Sequence, residues 1–276
     1  MHSSGGGREI FFAYPVIYCG RPTEGVGWCR FAAAAPLSLS RRSRADQRGG
    51  REGVMASFQI RKYRDEDYET VKEIFTLGMS EHVPAAFVHL LKQPLPQMVL
   101  MCVFWALLAS SKSLVFPVMA VTLLLAGARQ GLNCMFSSYI EQCLREDLRD
   151  IRKSYMGGQD SCFWVAESEG GVAATVACCP SEREQGCLEL KRMSVKKSHR
   201  GQGMAKALAQ TVADFARARG YEAVLLGTSV VQYEAQKLYE GIGYKKTNET
   251  LVPNLVGKVT NFTIFEYRLD VLEREA

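Results

Sequence analysis

The sequence lacks the spacings that mark metal centres and the common nucleotide-binding loops. Its nine cysteines include no C-x-x-C pair and no cysteine–histidine set at zinc spacing, so no metal is expected and reduced thiols are predicted. No G-K-[ST] ending completes a P-loop, and no G-x-G-x-x-G completes a Rossmann motif. Residues 55–276 are close to neutral, because most of the net charge of +5 lies in residues 1–54, so nucleic acid is not an expected partner.

Residues 1–54 form a segment of different composition from the rest of the chain. They hold eight arginines against four acids, are rich in glycine, serine and alanine, and show no sustained apolar period. They are predicted to be a disordered basic N-terminal extension, with an organelle transit peptide as the alternative and Met55 as the expected usual start. Three further segments follow: 55–93 and 132–276 as two parts of one domain, with a hydrophobic segment at 94–131 between them.

Apolar periodicity predicts alternating strands and helices in that domain. Residues 58–63 alternate like a strand, and acids at 65–67 then favour a helix N-terminus. The apolar stripe of this first helix is predicted to contain Val71, Ile74, Phe75 and Leu77. The remaining predicted elements are helices over 133–155, 203–219 and 232–240, and strands over 162–167, 172–178, 188–195, 221–228, 244–246 and 261–269.

Residues 95–128 contain two apolar runs separated by a short polar turn around Lys112. Each run is about 15 residues, or roughly 22 Å as a helix, against a hydrocarbon core of about 30 Å. A single span through both runs would place Lys112 near the middle of the bilayer, which is costly. A membrane-embedded helical hairpin is therefore the favoured interpretation, and a buried hairpin in a soluble core is the alternative.

The stretch 195–208, VKKSHRGQGMAKAL, joins a predicted strand to a predicted helix. Gly201 and Gly203 permit positive φ and let a ligand approach the main chain closely. The turn ends at a helix N-terminus, where free N–H groups and the helix dipole favour an anion such as a phosphate or pyrophosphate. The alternative is that the two glycines only make a tight turn.

The run from Arg200 to Ala205 fits the pattern R-x-x-G-x-A, with Val195 five residues before it, and resembles the acetyl-CoA pyrophosphate loop of the GNAT acetyltransferase superfamily. The resemblance implies an α/β GNAT fold, a mixed central β-sheet flanked by helices, here with a membrane-embedded helical hairpin inserted after the first helix. It implies acetyl-CoA as co-substrate. The residues implied to bind it are Met193, Val195, Arg200, Gly201, Gln202, Gly203, Met204 and Ala205.

A second segment, AQKLYEGIGY at 235–244, resembles the GNAT segment A-x-x-L-Y-x-x-x-G-F/Y that lies under the pantetheine arm. When an amine attacks a thioester, the leaving thiolate benefits from a nearby proton donor. The resemblance implies this role for Tyr239, against the alternative of a tyrosine that only packs a helix end.

A base and acceptor contacts are harder to assign. Glu189 is the acid within the strand at 188–195, and alternation predicts that it shares a face with Lys191 and Met193. Glu189 is the candidate base that receives the proton of the amine. The alternative is that it is a solvated side chain without a catalytic role. Thr228 and Ser229, at the end of the next strand, are candidate contacts for the substrate.

Taken together, the GNAT opening, the apolar insert and the segments SCFWVAES and HRGQGMAKAL resemble the N-acetyltransferase 8, or camello-like, family. That resemblance implies an enzyme of the endoplasmic reticulum that acetylates a small-molecule amine substrate, above all a cysteine S-conjugate. The apolar segment predicts contact with membrane lipid. A cytosolic catalytic domain is predicted because Lys92 and Arg129 flank that segment and acetyl-CoA is made in the cytosol. Protein lysine acetylation in the same membrane and a non-enzymatic adhesion or trafficking role stay open, as does the oligomeric state.

Overall fold

A seven-stranded mixed β-sheet organises the computed structural model, which describes residues 58–253 and 255–272. The predicted extension at 1–54 lies outside the described residues. The strand order is β1-β2-β3-β4-β5-β7-β6, and within the described residues the β4–β5 pair alone is parallel. The strands are β1 (Phe58–Lys62), β2 (Cys162–Ser168), β3 (Gly171–Pro180), β4 (Cys187–Val195), β5 (Ala223–Ser229), β6 (Lys245–Leu251) and β7 (Thr263–Asp270).

Helices cover both faces of this sheet. They are α1 (Tyr68–Ser80), α2 (Val83–Leu91), α3 (Pro94–Ser111), α4 (Val115–Arg145), α5 (Met204–Ala218), α6 (Tyr233–Gly241) and α7 (Leu255–Thr260). A single π-helical turn spans Arg152–Met156, and short 3₁₀ turns span Asp65–Asp67 and Lys197–His199. The mixed sheet flanked by helices is the predicted fold class.

Alternation along the strands produces a separate apolar core on each face. On one face Leu188 and Val224 pack with Leu208 and Val212 of α5, and all four are fully buried. On the other face Phe163 and Val165 of β2 pack with α1, the end of α4 and the π-helical turn. Truncating one such buried side chain to alanine costs about 2–5 kcal/mol, so each face depends on its own helices.

Two predicted turns have the backbone that their residues demand. Glu169 (φ 54°) and Gly170 (φ 78°) both adopt left-handed conformations between β2 and β3, as a tight hairpin turn of this twist requires. Gly220 (φ 75°) ends α5 one residue after its C-cap, where a left-handed residue closes the helix.

Three parts of the secondary-structure prediction are wrong. The helix predicted at 133–155 is continuous with the second apolar run, forming α4, and it ends at Arg145. A helix, α2, precedes the apolar hairpin, which therefore follows the second helix rather than the first. Leu77, placed on the buried stripe of α1, is 56% exposed, whereas Val71, Ile74 and Phe75 are buried.

The predicted hairpin at 95–128 corresponds to α3 and the first half of α4. Lys112 makes the turn between them in a left-handed conformation, φ 53°. None of the residues of α3 is buried, and apolar side chains including Met98, Trp105, Phe116 and Leu123 are exposed. Within the described residues, three helical stretches are long and apolar enough to cross a membrane: Asp65–Leu91, Pro94–Ser111 and Val115–Arg145.

Candidate active site

The sheet opens between its two parallel strands. Pairing of β4 with β5 covers Cys187–Glu189 against Ala223–Leu225 and goes no further, although β4 continues to Val195 and β5 to Ser229. Beyond Glu189, β4 stays paired with β3 and β5 stays paired with β7. The second halves of β4 and β5 therefore diverge and leave a wedge whose two edges carry backbone groups without a strand partner.

A β-bulge at Arg192 decides which side chains of β4 face the wedge and α5. Val176 of β3 lies opposite both Arg192 and Met193, and Arg192 has φ 55°. The buried hydroxyl of Thr175 donates a hydrogen bond to the Arg192 carbonyl at 2.9 Å. The bulge inserts one residue and so inverts the alternation beyond it.

The prediction that Met193 shares a face with Glu189 and Lys191 is therefore wrong. Met193 and Val195 pack on the same core as Leu190 and helix α5. Glu189 and Lys191 lie on the opposite face, where Lys191 Nζ is 3.2 Å from Glu189 Oε2. The two β4 residues predicted to bind the cofactor, Met193 and Val195, thus lie on the face of the sheet that α5 covers.

The loop after β4 presents unpaired backbone donors at the start of α5. Gly203 caps the helix in a left-handed conformation, φ 82°, without a side-chain hydrogen bond, and the first turn contains no acid. The first N–H of this helix with a described acceptor is that of Ala207, so the N–H groups of Met204, Ala205 and Lys206 have none among the described residues. This arrangement suits an anion.

Both loop glycines border open space. A Cβ built at Gly201 or Gly203 would meet no heavy atom within 4 Å, and Gly201 also has a positive φ of 78°. The glycines are therefore required by the backbone conformation and leave room in front of the helix N-terminus. Met204 itself is buried, so its contribution to a ligand would come from its N–H group.

Arg200 is held beside this loop by two contacts. Its Nε donates to the Val195 carbonyl at 3.2 Å, and its Nη1 is 2.7 Å from the Glu81 carboxylate. It borders a cleft of about 550 Å³ between α1 and the loop. The cleft is lined by Glu73, Ile74, Leu77, Gly78, Glu81, Val195, Lys196, Lys197, Ser198 and Arg200. Carboxylates and lysines on opposite walls could pair with an ammonium and a carboxylate of one ligand.

Tyr239 lies in the α5-side core, and its hydroxyl has no hydrogen-bond partner in the part of the chain that the structure describes. The residue is 6% exposed, its ring contacts the rings of Tyr244 and Tyr267, and no described residue hydrogen-bonds its hydroxyl. Burial raises the pKa of Tyr239 well above its usual value. The phenol therefore stays protonated near neutral pH and can donate a proton or hydrogen bond.

Thr228 and Ser229 are buried at the end of β5 and tied to the start of α6. Both hydroxyls donate to the side-chain oxygen of Gln232, at 3.0 and 3.1 Å, and the Ser229 N–H donates to the same atom at 2.9 Å. The Gln236 amide in turn donates to the Ser229 carbonyl. These contacts fix α6, and with it Tyr239, against β5. Contact of either hydroxyl with substrate stays a prediction.

Glu189, the candidate base, is buried at the last position of β4 that pairs with β5. Its carboxylate is 3.2 Å from Lys191 Nζ and 3.4 Å from the Arg183 guanidinium. Its neighbour across the β3–β4 pair is Cys179, which packs on the core opposite to that of Tyr239. A base role for Glu189 stays a prediction.

The sequence did not predict the positioning contacts of Gln232 and Glu81, or the buried ion pair between Arg192 and Asp147. Gln232 could have been found, because an amide three residues after Ser229 is within reach of the preceding strand end. Glu81 and Asp147 had no such signal, since their partners lie more than 40 residues away in the chain.

These features together define an acetyltransferase of the GNAT class, and the acetyltransferase (GNAT) family model matches residues 128–244. The chain belongs to the N-acetyltransferase 8, or camello-like, family within it. It is 39% identical over 217 residues to the probable N-acetyltransferase camello of Xenopus tropicalis, covering 79% of this chain and 99% of that one. It is 42% identical over 203 residues to N-acetyltransferase 8 of Rattus norvegicus, covering 72% and 90%.

Solved structures also align with this chain. One is a putative acetyltransferase from Salmonella typhimurium with its cofactor acetyl-CoA, at 14% identity and a TM-score of 0.46, with 80% of this chain and 98% of that chain covered.

Proposed function

We propose that this protein is a membrane-associated N-acetyltransferase that moves acetyl from acetyl-CoA to the α-amino group of a small amino-acid substrate, above all a cysteine S-conjugate. The observation that carries the proposal is the β4–β5 wedge, which ends at the unpaired N–H groups of α5 and has the protonated Tyr239 on the same face. Membership of the N-acetyltransferase 8 family supports the reaction class.

Acetyl-CoA fits this site through its two chemically distinct parts. Its pyrophosphate would accept hydrogen bonds from the N–H groups of Met204 to Lys206, with Gly201 and Gly203 leaving room and Gln202 and Arg200 at the loop's exposed surface. Arg200 would exchange its partner Glu81 for a phosphate oxygen. The pantetheine arm would run along the wedge and contact Met193 and Val195, so that the thioester reaches the bulge.

The chemistry needs a nucleophile, a leaving group and two proton transfers. The neutral amine nitrogen attacks the thioester carbonyl carbon, an N–C bond forms, and the C–S bond breaks. The departing thiolate takes the proton of Tyr239, giving the free thiol of CoA. The amine loses a proton in the same reaction, and we assign Glu189 as the base that receives this proton through water.

The charged cleft supports a small zwitterionic acceptor. Its volume of about 550 Å³ lies within the range of small-molecule sites. Glu73 and Glu81 could pair with the ammonium of an amino acid, and Lys196 and Lys197 with its carboxylate. Thr228 and Ser229 are proposed to contact the same substrate from the end of β5.

The apolar hairpin supports attachment to a membrane. The two parts of the sheet domain, before α3 and after α4, form one sheet, so the chain must enter and leave the bilayer on the same side. α3 is about 27 Å long, close to the roughly 30 Å of the hydrocarbon core, and carries no buried residue, which fits a helical hairpin embedded in the lipid. The cytosolic side is proposed for the catalytic domain because acetyl-CoA is made in the cytosol, and the endoplasmic reticulum is proposed from the family resemblance alone.

The experiment is acetyl-CoA turnover by the full chain in detergent micelles against matched acceptors. We expect a cysteine S-conjugate to be acetylated faster than its N-blocked form, which lacks the nucleophile, and faster than a lysine peptide. Preference for the lysine peptide would replace the small-molecule acceptor by protein lysine. Absence of turnover with every amine would contradict the proposed function.

A further inference from the structure

Arg192 is a cation held inside the domain by one carboxylate. Its Nε and Nη2 donate to the two oxygens of Asp147 at 2.7 and 2.6 Å, a bidentate pair. The side chains are 12% and 0% exposed. Asp147 lies two residues after α4, so this pair joins the end of the long helix to the middle of β4.

Further side chains surround the same guanidinium. The Tyr155 hydroxyl donates to the Asp147 carboxylate, and Arg192 Nη1 donates to Cys143 Sγ at 3.0 Å. The guanidinium also lies 5.1 Å from the centre of the Phe75 ring. Contacts thus reach Arg192 from α1 and α4, and the π-helical turn contacts its partner Asp147, so the ion pair is fixed from three elements.

Stability alone is a poor explanation for such a pair. The cost of removing two charges from water often equals or exceeds what their attraction returns, so an apolar replacement can be neutral or stabilising. Arg192 moreover adopts a left-handed backbone, φ 55°, which costs roughly 1–2 kcal/mol for a residue with a Cβ. A glycine would remove that strain but could not reach Asp147.

The strained residue is the one that inverts the alternation of β4. Because of this bulge, Met193 and Val195 turn to the face of α5 and the wedge. Motion of the Arg192 backbone would move the edge of the wedge at which the thioester is placed. A displacement of about 1 Å at such a point can cost 10²-fold in rate.

We propose, on the basis of the proposed function, that Arg192 is a positioning residue for acetyl transfer. The Asp147–Arg192 ion pair holds the β4 bulge, and the bulge fixes the thioester end of acetyl-CoA relative to Tyr239 and the amine. The pair also anchors the end of α4 at the reaction centre, so the apolar hairpin and the site are mechanically joined.

The test separates position from stability with a matched control. Arg61 makes a similar bidentate pair with Asp67, at 2.7 and 2.8 Å, with side chains 16% and 5% exposed, but it lies on β1, three strands from β4. Arg192→Lys and Arg61→Lys would be compared for thermal midpoint, CoA affinity by calorimetry, kcat and KM. A third variant, Arg192→Gln with Asp147→Asn, removes both charges and leaves neither partner buried alone.

We expect Arg192→Lys and the neutral pair to lower kcat by about 10- to 100-fold while CoA affinity stays within about twofold. Arg61→Lys should lower the midpoint and leave kcat of the folded protein unchanged. Wild-type kcat in either Arg192 variant would overturn the proposal. Equal kcat losses at Arg61 and Arg192, joint loss of CoA affinity, or a neutral pair that does not fold would overturn it as well. Failure of the proposed function is distinguishable, because the wild-type protein would then show no turnover.

Discussion

Gly203→Ala tests the anion site at the start of α5, and the same helix supplies its control. Gly203 and Gly220 flank the two ends of α5 with φ 82° and φ 75°. A Cβ at either glycine would meet no heavy atom within 4 Å, so neither substitution causes a clash. The two alanine variants therefore carry a similar strain from a left-handed backbone. They differ because only the methyl group at position 203 would lie in the anion site.

The strain should cost each variant roughly 1–2 kcal/mol, because a left-handed residue with a Cβ is disfavoured by that amount. In a domain of this size that lowers the thermal midpoint by about 2–4 °C per kcal/mol. At Gly203 the methyl group also occupies the space through which a pyrophosphate would approach the N–H groups. We expect CoA affinity to fall there by at least about tenfold, or about 1.4 kcal/mol.

Thermal unfolding and calorimetry with CoA measure the two effects separately. Similar midpoints for both variants, with CoA affinity lost in Gly203→Ala and retained in Gly220→Ala, would agree with the site. Equal CoA affinity in the two variants would refute the reasoning, because the loop would then be only a turn.

Three other predictions follow from Tyr239 and the hairpin. Tyr239→Phe should lower kcat by about 10²-fold and leave CoA affinity nearly unchanged, and wild-type turnover would return Tyr239 to a packing role. Because burial raises the pKa of Tyr239, the loss of kcat at alkaline pH should begin above about pH 10, the ordinary tyrosine pKa. A loss of kcat that begins below that pH would contradict the role of Tyr239 as the acid. In microsomes the sequons at Asn248 and Asn261, both exposed, should carry no glycan, and glycosylation at either would place the domain in the lumen.

The parts of the fold set by local chemistry could be predicted from the sequence. The β2–β3 turn, the end of α5 and the loop before it depend on glycines whose φ is positive. Apolar alternation of period two located most strands, since each buries one face. Tyr239 was found through a segment of ten residues that makes a helix and the turn after it.

The parts set by distant partners could not be predicted. The prediction divided α4 into an apolar run and a separate helix. The two halves have different patterns, the first apolar and the second amphipathic, although the backbone is one continuous helix. The β4 bulge was missed because arginine, unlike glycine or asparagine, is not a residue type that favours positive φ. Its conformation depends on Asp147, 45 residues earlier, and on Thr175 in the neighbouring strand.

The structure of the full chain bound to CoA is the most direct test of the site. We predict pyrophosphate oxygens about 3 Å from the N–H groups of Met204 to Lys206, and the CoA sulfur within hydrogen-bond reach of the Tyr239 hydroxyl. The arm between them should lie in the wedge between β4 and β5. A pyrophosphate bound away from the glycine loop, or a sulfur on the face of the sheet opposite to Tyr239, would contradict the account.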